Sequence, residues 1–253
     1  MIIGYDLSVW DKYRIKLPIE IDLRKRTHAN VLITGNSGSG KSYGLKRLVH
    51  GLVVDCPARG LNPVRLTFCN FKDSEDYRFM KEYRHYHVYH ACKEGLEYFY
   101  NGFKKRMESG KEFDGSYSVL IFEEWPAFML SLSQSDKKEA ERYKGMASEL
   151  LMLSRSYGYG FWTVMQRPDA AWLSHGARDQ YQTLISLGNL SKEHRQMLYA
   201  GEELPDRIYR VGEGVCHVDG QGAREIKYPV IRDMKKLEYE ILHRLEARPQ
   251  GSA

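Results

Sequence analysis

The chain has 253 residues, 42% of them hydrophobic and 28% charged, with a formal net charge of +5. That composition excludes a disordered or low-complexity polypeptide and leaves room for one large α/β core; the mildly basic balance is compatible with nucleic acid without requiring it. Its longest apolar runs, such as Val119-Leu120-Ile121-Phe122, fall far short of the roughly 18 residues of a bilayer span. The start Met1-Ile2-Ile3-Gly4-Tyr5-Asp6 has no basic, apolar or cleavage region of a secretion signal. Cys56, Cys69, Cys92 and Cys216 show neither zinc nor disulfide spacing. The expectation is a cytoplasmic protein with reduced thiols and no transmembrane segment of its own.

In chain order, residues 1–28 read as a small β-rich lead-in, residues 29–233 as the main α/β domain, and residues 234–253 as a closing helix and frayed tail. Within the main domain, short apolar runs at Ala29–Thr34, Val64–Asn70, Ser118–Phe122, Phe161–Met165 and Thr183–Leu187 alternate with helical patterns. Near-continuous hydrophobicity marks strands buried on both faces, and the alternation predicts a mostly parallel central sheet flanked by helices. Leu45, Leu48, Val49 and Leu52 make one helical stripe, and Leu96, Phe99, Tyr100 and Phe103 another. A third helix is expected from about Lys138 to Arg155. The mixture Tyr83-Arg84-His85-Tyr86-His87-Val88-Tyr89-His90 reads as a partly buried edge. Asp206–Val211 and Gly214–Val218 read as hairpin strands about a Gly212-Glu213-Gly214 turn, and Met234, Leu237, Ile241 and Leu245 as the last amphipathic helix.

The first strand runs into Gly35-Asn36-Ser37-Gly38-Ser39-Gly40-Lys41-Ser42, and Ser42 and Tyr43 open the helix that follows. This is the phosphate-binding loop in the strand-loop-helix setting it needs. Its glycines let backbone N–H groups converge on a phosphate, and the helix N-terminus adds partial positive charge. Lys41 is expected to bridge the β- and γ-phosphates of ATP, and the Ser42 hydroxyl to ligate Mg²⁺. Gly35 to Tyr43 are therefore the expected nucleotide-binding set.

The strand Val119-Leu120-Ile121-Phe122 ends on Glu123-Glu124, which resembles a Walker B element. Glu123 is expected at the metal and Glu124 at the attacking water. Where the pattern has Asp, Glu123 sets its carboxylate one methylene further out.

Downstream, Ser154-Arg155-Ser156-Tyr157-Gly158-Tyr159-Gly160-Phe161-Trp162-Thr163-Val164-Met165-Gln166-Arg167-Pro168 resembles the Arg-x-x-Gly, strand, Thr-Gln-Arg-Pro segment of the FtsK/SpoIIIE DNA translocases, in the FtsK–HerA superfamily of P-loop ATPases. The likeness continues through Thr183–Arg195. Upstream, Asn70-Phe71-Lys72 stands where the family has Asp-Pro-Lys. Over about residues 29–230 the resemblance implies a RecA-like motor with Gln166 as sensor of the γ-phosphate and Arg155 as an arginine finger acting on the next subunit. It also implies ATP hydrolysis coupled to movement on double-stranded DNA, and a homohexamer. As a motor without accessory domains, such a chain is expected to serve plasmid or conjugative-element transfer with a relaxase or membrane-channel partner. The alternatives are a viral genome-packaging ATPase with a capsid partner, or a nucleotide-dependent DNA-binding regulatory protein with weak hydrolysis. Ser131–Lys138, polar, flexible and basic at its end, reads equally as a loop facing DNA or as a solvated loop; Arg24-Lys25-Arg26, Lys104-Lys105-Arg106 and Lys235-Lys236 read as solvated surface.

Overall fold

The computed structural model describes residues 1–25, 28–60, 64–110, 113, 115–168 and 178–247. Arg26 and the tail at 248–253, both named above, lie outside the described residues. Ten strands form one sheet in the order β2-β1-β10-β9-β8-β3-β7-β6-β4-β5. The block β8-β3-β7-β6-β4-β5 is parallel and comprises β3 (Val31–Gly35), β4 (Arg65–Asn70), β5 (Tyr86–Val88), β6 (Ser118–Glu123), β7 (Tyr159–Met165) and β8 (Thr183–Leu187). The remaining strands, β1 (Ile2–Asp6), β2 (Pro18–Glu20), β9 (Glu213–Val218) and β10 (Gly222–Lys227), extend it antiparallel from β8.

Alternation along the buried strands builds two cores. Val31, Ile33, Val119, Ile121, Trp162 and Val164 face one side, against Leu45, Leu48 and Val49 of α2 (Lys41–His50) and Leu237 and Ile241 of the last helix. Leu32, Leu120, Phe122, Phe161 and Met165 face the other, against Leu96, Phe99 and Phe103 and against Trp125, Phe128 and Leu150. Each of these strand side chains is at most 1% exposed. At about 1.5–3 kcal/mol per large apolar side chain buried, the paired cores hold the strand ends in place.

After α1 (Leu7–Tyr13) and α2, the helices are α3 (Cys56–Ala58), α4 (Cys92–Glu108), α5 (Trp125–Ser135), α6 (Lys137–Leu153), α7 (Lys192–Leu198) and α8 (Met234–Glu246). A π-helical turn, Gly51–Asp55, carries Leu52 of the predicted stripe. The predicted edge at Tyr83–His90 is half-buried strand β5 at the border of the sheet.

Two expectations are corrected. Ser131–Lys138 is not a flexible loop. Helix α5 runs to Ser135, and Asp136 accepts the Lys138 and Glu139 N–H groups to start α6 at once. Asp206–Val211 forms no strand. The hairpin is instead β9 with β10, turning at 219–221, where Gly220 and Gly222 supply positive φ. The lead-in holds the strands β1 and β2 with helix α1, capped by Asp6, between them, and β1 joins the sheet through β10. Among the basic clusters, Lys104 pairs with Glu149 at 2.8 Å.

Candidate functional site

In the parallel block the sheet ends that carry chemistry lie side by side: Gly35 closing β3, Glu123 closing β6, and Gln166 following β7. Register fixes this, since Ile33 pairs with Val164 and Val164 with Glu123. The loop from Gly35 to Gly40 leaves β3 and enters α2 with Gly40 at the N-cap in the left-handed region, φ 95°. Gly40 offers no side chain to cap the helix, so the first N–H groups of α2 remain for an anion. A Cβ on Gly35 would sit 2.4 Å from the Leu187 carbonyl oxygen, and a Cβ on Gly40 would sit 2.9 Å from the Gly212 nitrogen. The loop fits only as glycine at both points.

The Gly212 N–H donates to the Ser39 carbonyl at 2.9 Å, and the Tyr43 hydroxyl donates to the Pro229 carbonyl at 3.1 Å. The segments flanking β9 and β10 thus brace the loop. Gly212, expected in a hairpin turn, is engaged in this brace instead. Lys41 Nζ donates to the carbonyls of Gly35 and, at 2.9 Å, Asn36. Burial lowers the Lys41 pKa, while Glu124 and Glu123 act to raise it. Asn36, Ser37 and Gly38 are exposed, whereas Ser39 is buried with its Oγ unbonded.

Glu123 and Glu124 are each 8% exposed. Burial, reinforced by the Glu124 charge, pushes Glu123 up to about 7, and its Oε2 has no hydrogen-bond partner. Glu124 sits in the left-handed region, φ 61°, as the N-cap of α5, with its N–H held by the Val164 carbonyl at 2.8 Å. A non-glycine residue there carries strain of order 1–3 kcal/mol, which the surrounding strands and α5 sustain. Lys72 Nζ lies 3.2 Å from Glu124 Oε1. Phe71 packs edge-to-face on Phe128 of α5, centroids 5.5 Å apart, and Asn70 clasps its own loop through Ser74.

The orphaned Glu123 oxygen and the glycine cradle fit a nucleotide with its cation, to which Ser42 and Glu123 would offer oxygens. Among the described residues no group of three His, Cys, Asp or Glu side chains offers a metal cage.

Comparison with known proteins places this geometry. No family model matches the chain. The Ftsk domain-containing protein YdcQ of Bacillus subtilis (strain 168) is 27% identical over 219 residues, covering 80% of this chain and 43% of the relative. Over most of its length the chain is similar to an FtsK domain-containing protein, with the fold of RecA-like P-loop ATPases. Solved structures agree on the fold. The pCW3 conjugation coupling protein TcpA, in its monomer form with ATPγS, superposes at TM-score 0.69 with 20% identity over 89% of this chain and 66% of its own. The genome packaging NTPase B204 from Sulfolobus turreted icosahedral virus 2 does so at 0.50 with 15% identity, over 81% and 99%. The chain therefore spans less than half of the curated relative and just under two thirds of the coupling protein.

The Gln166 side chain is exposed, and its carbonyl accepts the Gly35 N–H at 3.3 Å. Arg155 is exposed in a 3₁₀ turn, Ser154–Tyr157, ahead of β7. At about 3.3 Å per residue, the length of β7 puts it about 20 Å from Gln166. The structure brings Lys41, Ser42, Glu123, Glu124 and Gln166 to one end of the sheet and leaves Arg155 at the other.

Sequence reasoning missed a polar chain beneath the loop. Thr34 Oγ1 bonds Ser186 Oγ at 2.7 Å and His194 Nε2 at 2.9 Å, and the Tyr199 hydroxyl donates to Ser186 Oγ at 2.9 Å. His194 is driven down to about 4 by burial and by Arg167, so it works as a neutral hydrogen-bonding group. It lines a cavity of about 220 Å³ with Gly35, Asn36, Arg167 and Asn189. The sequence signal was a histidine entering a helix after a strand, which has no pattern of its own. Gly212 was equally invisible as a site residue, and Lys72 was marked only by the likeness to the family's Asp-Pro-Lys, because their contacts depend on tertiary approach.

Proposed function

We propose that this chain is the ATP-hydrolysing core of a double-stranded DNA translocase, working as a hexameric ring in plasmid or conjugative-element transfer. The observation that carries the reading is the convergence of Lys41, Glu123, Glu124 and Gln166 on one end of a parallel sheet. The likeness to a conjugation coupling protein solved with ATPγS supports it.

In this reading Gly35 to Gly40 wrap the phosphates with backbone N–H groups, Tyr43 flanks them, and Lys41 exchanges its carbonyl partners for phosphate oxygens. Ser42 and Glu123 hold Mg²⁺, which when bound neutralises charge on the phosphates. Glu124, fixed at the start of α5, orients and deprotonates the attacking water, and Gln166 reports the γ-phosphate to the cleft beside His194. Arg155, about 20 Å from its own loop, serves the neighbouring subunit. DNA in the ring, and a relaxase or channel to receive it, complete the proposal; a capsid would take that place in the packaging reading.

The test is ATP turnover with and without duplex DNA, beside nucleotide binding. Turnover stimulated severalfold by DNA, abolished by Lys41→Ala together with binding, supports the motor. Binding without turnover leaves the regulatory reading in its place.

A further inference from the structure

Among the described residues, the polar atoms buried without hydrogen-bond partners at the nucleotide end of the sheet include Ser39 Oγ, Glu123 Oε2 and Tyr77 Oη. The first two belong to the site described above. Tyr77 does not. It lies in the 3₁₀ turn Glu75–Met80 after β4, is 1% exposed, and packs its ring on Phe68 with centroids 4.9 Å apart.

A buried phenol ordinarily has its hydroxyl bonded, and leaving it unbonded costs about 1–3 kcal/mol. For packing alone, phenylalanine suits this position better. The hydroxyl lies beside the Ser42 hydroxyl and within the field of the Glu123 carboxylate, without a hydrogen bond of ordinary geometry to either. Those are the two side chains assigned to the cation in the proposed function.

We propose that Tyr77 is a positioning residue for the nucleotide-bound cation: its oxygen accepts the Ser42 O–H and its own O–H is donated to Glu123. Accepting that proton turns a Ser42 lone pair outward, and donating to one carboxylate oxygen steers the other toward the metal. The need follows from the chain itself. Glu123 has one more rotatable bond than an aspartate, and a neighbouring donor removes that freedom. The inference rests on the nucleotide reading above and adds a residue to it.

The experiment uses the full chain, Tyr77→Phe, and a fluorescent non-hydrolysable ATP analogue titrated with Mg²⁺, with Mn²⁺ binding followed by electron paramagnetic resonance. Loss of an outer partner of this kind costs roughly 10–100-fold in metal affinity. The Phe variant is expected to need that much more cation, to bind the analogue unchanged in EDTA, and to melt at the same temperature or slightly higher. An unchanged cation requirement overturns the proposal, as does a parallel loss of binding in EDTA, which would make Tyr77 a support of the loop. In a Glu123→Asp background the shorter acid withdraws from the phenol, so the Phe substitution should have little further effect; a full effect there also overturns it. Failure of the wild type itself to bind the analogue counts against the nucleotide reading instead.

Discussion

Lys72 Nζ stands 3.2 Å from Glu124 Oε1, joining the loop after β4 to the N-cap of α5. Of the three residues at the position of the family's Asp-Pro-Lys, only the lysine is kept, and it is the one that touches the proposed water-orienting carboxylate. Phe71 instead anchors α5 through Phe128. Glu124→Gln is expected to bind ATP and lower turnover by about 10²–10⁴-fold, the usual worth of a general base. Lys72→Ala is expected to lower kcat only a few-fold, because Lys72 is 45% exposed and such pairs contribute about 0.2–1 kcal/mol. Steady-state kinetics beside nucleotide binding checks both; a larger loss in Lys72→Ala than in Glu124→Gln contradicts this ordering.

Gly44 is a packing residue of the site. A Cβ there would lie 2.7 Å from the Tyr228 ring, so α2 approaches the segment after β10 through a hydrogen. Gly44→Ala should destabilise by about 1 kcal/mol, an overpacking cost of about 1–3 kcal/mol offset by alanine's helix preference of about 1. It should also weaken nucleotide binding by tilting α2. In a Tyr228→Leu background the penalty should shrink, as thermal unfolding of the four proteins would show.

The far end of α2 carries a pH-dependent tie. His50 Nδ1 is 3.5 Å from Asp55, and its Nε2 is 2.9 Å from Glu240 of α8. The Asp55 contact raises its pKa, burial opposes this, and Glu240 adds to the rise; Arg47 also opposes it. With the folded value above the unfolded one, this stabilisation is fully present below the unfolded pKa and is lost as pH rises through the folded pKa. The partner Asp55 is lowered in return, so the tie also fades in strong acid. The excess stability of wild type over His50→Gln should therefore be largest near pH 6 and decline toward pH 9 in denaturant titrations. An excess that grows with pH would contradict the assignment.

Much of this was legible in the sequence because it is local. The loop Gly35–Ser42, five of the six parallel strands and Glu123-Glu124 announce themselves through spacing and continuous apolar runs. Helix α5 was not, because Trp125-Pro126-Ala127-Phe128 reads as an apolar run, and only the structure puts Pro126 in its first turn. The Gly212 brace, the Thr34-Ser186-His194 chain and Tyr77 join residues far apart in sequence. No periodicity marks such contacts.

Arg155 tests the ring. Arg155→Ala is expected to bind nucleotide normally and to lose DNA-stimulated hydrolysis by about 10³-fold, as arginine fingers do. Adding Glu124→Gln chains, which keep Arg155 and contribute no hydrolysis of their own, should restore part of that activity by completing the Arg155→Ala subunits' sites. No recovery at any mixing ratio would argue against action across subunits.

The central claim, that nucleotide chemistry here moves the protein along DNA, is read most directly by displacement of a triplex-forming strand from linear duplex DNA. With ATP the wild-type chain should release the third strand, and without ATP, or as Glu124→Gln, it should leave the strand in place. Binding of duplex DNA with ATP hydrolysis but no release of the third strand would contradict the account.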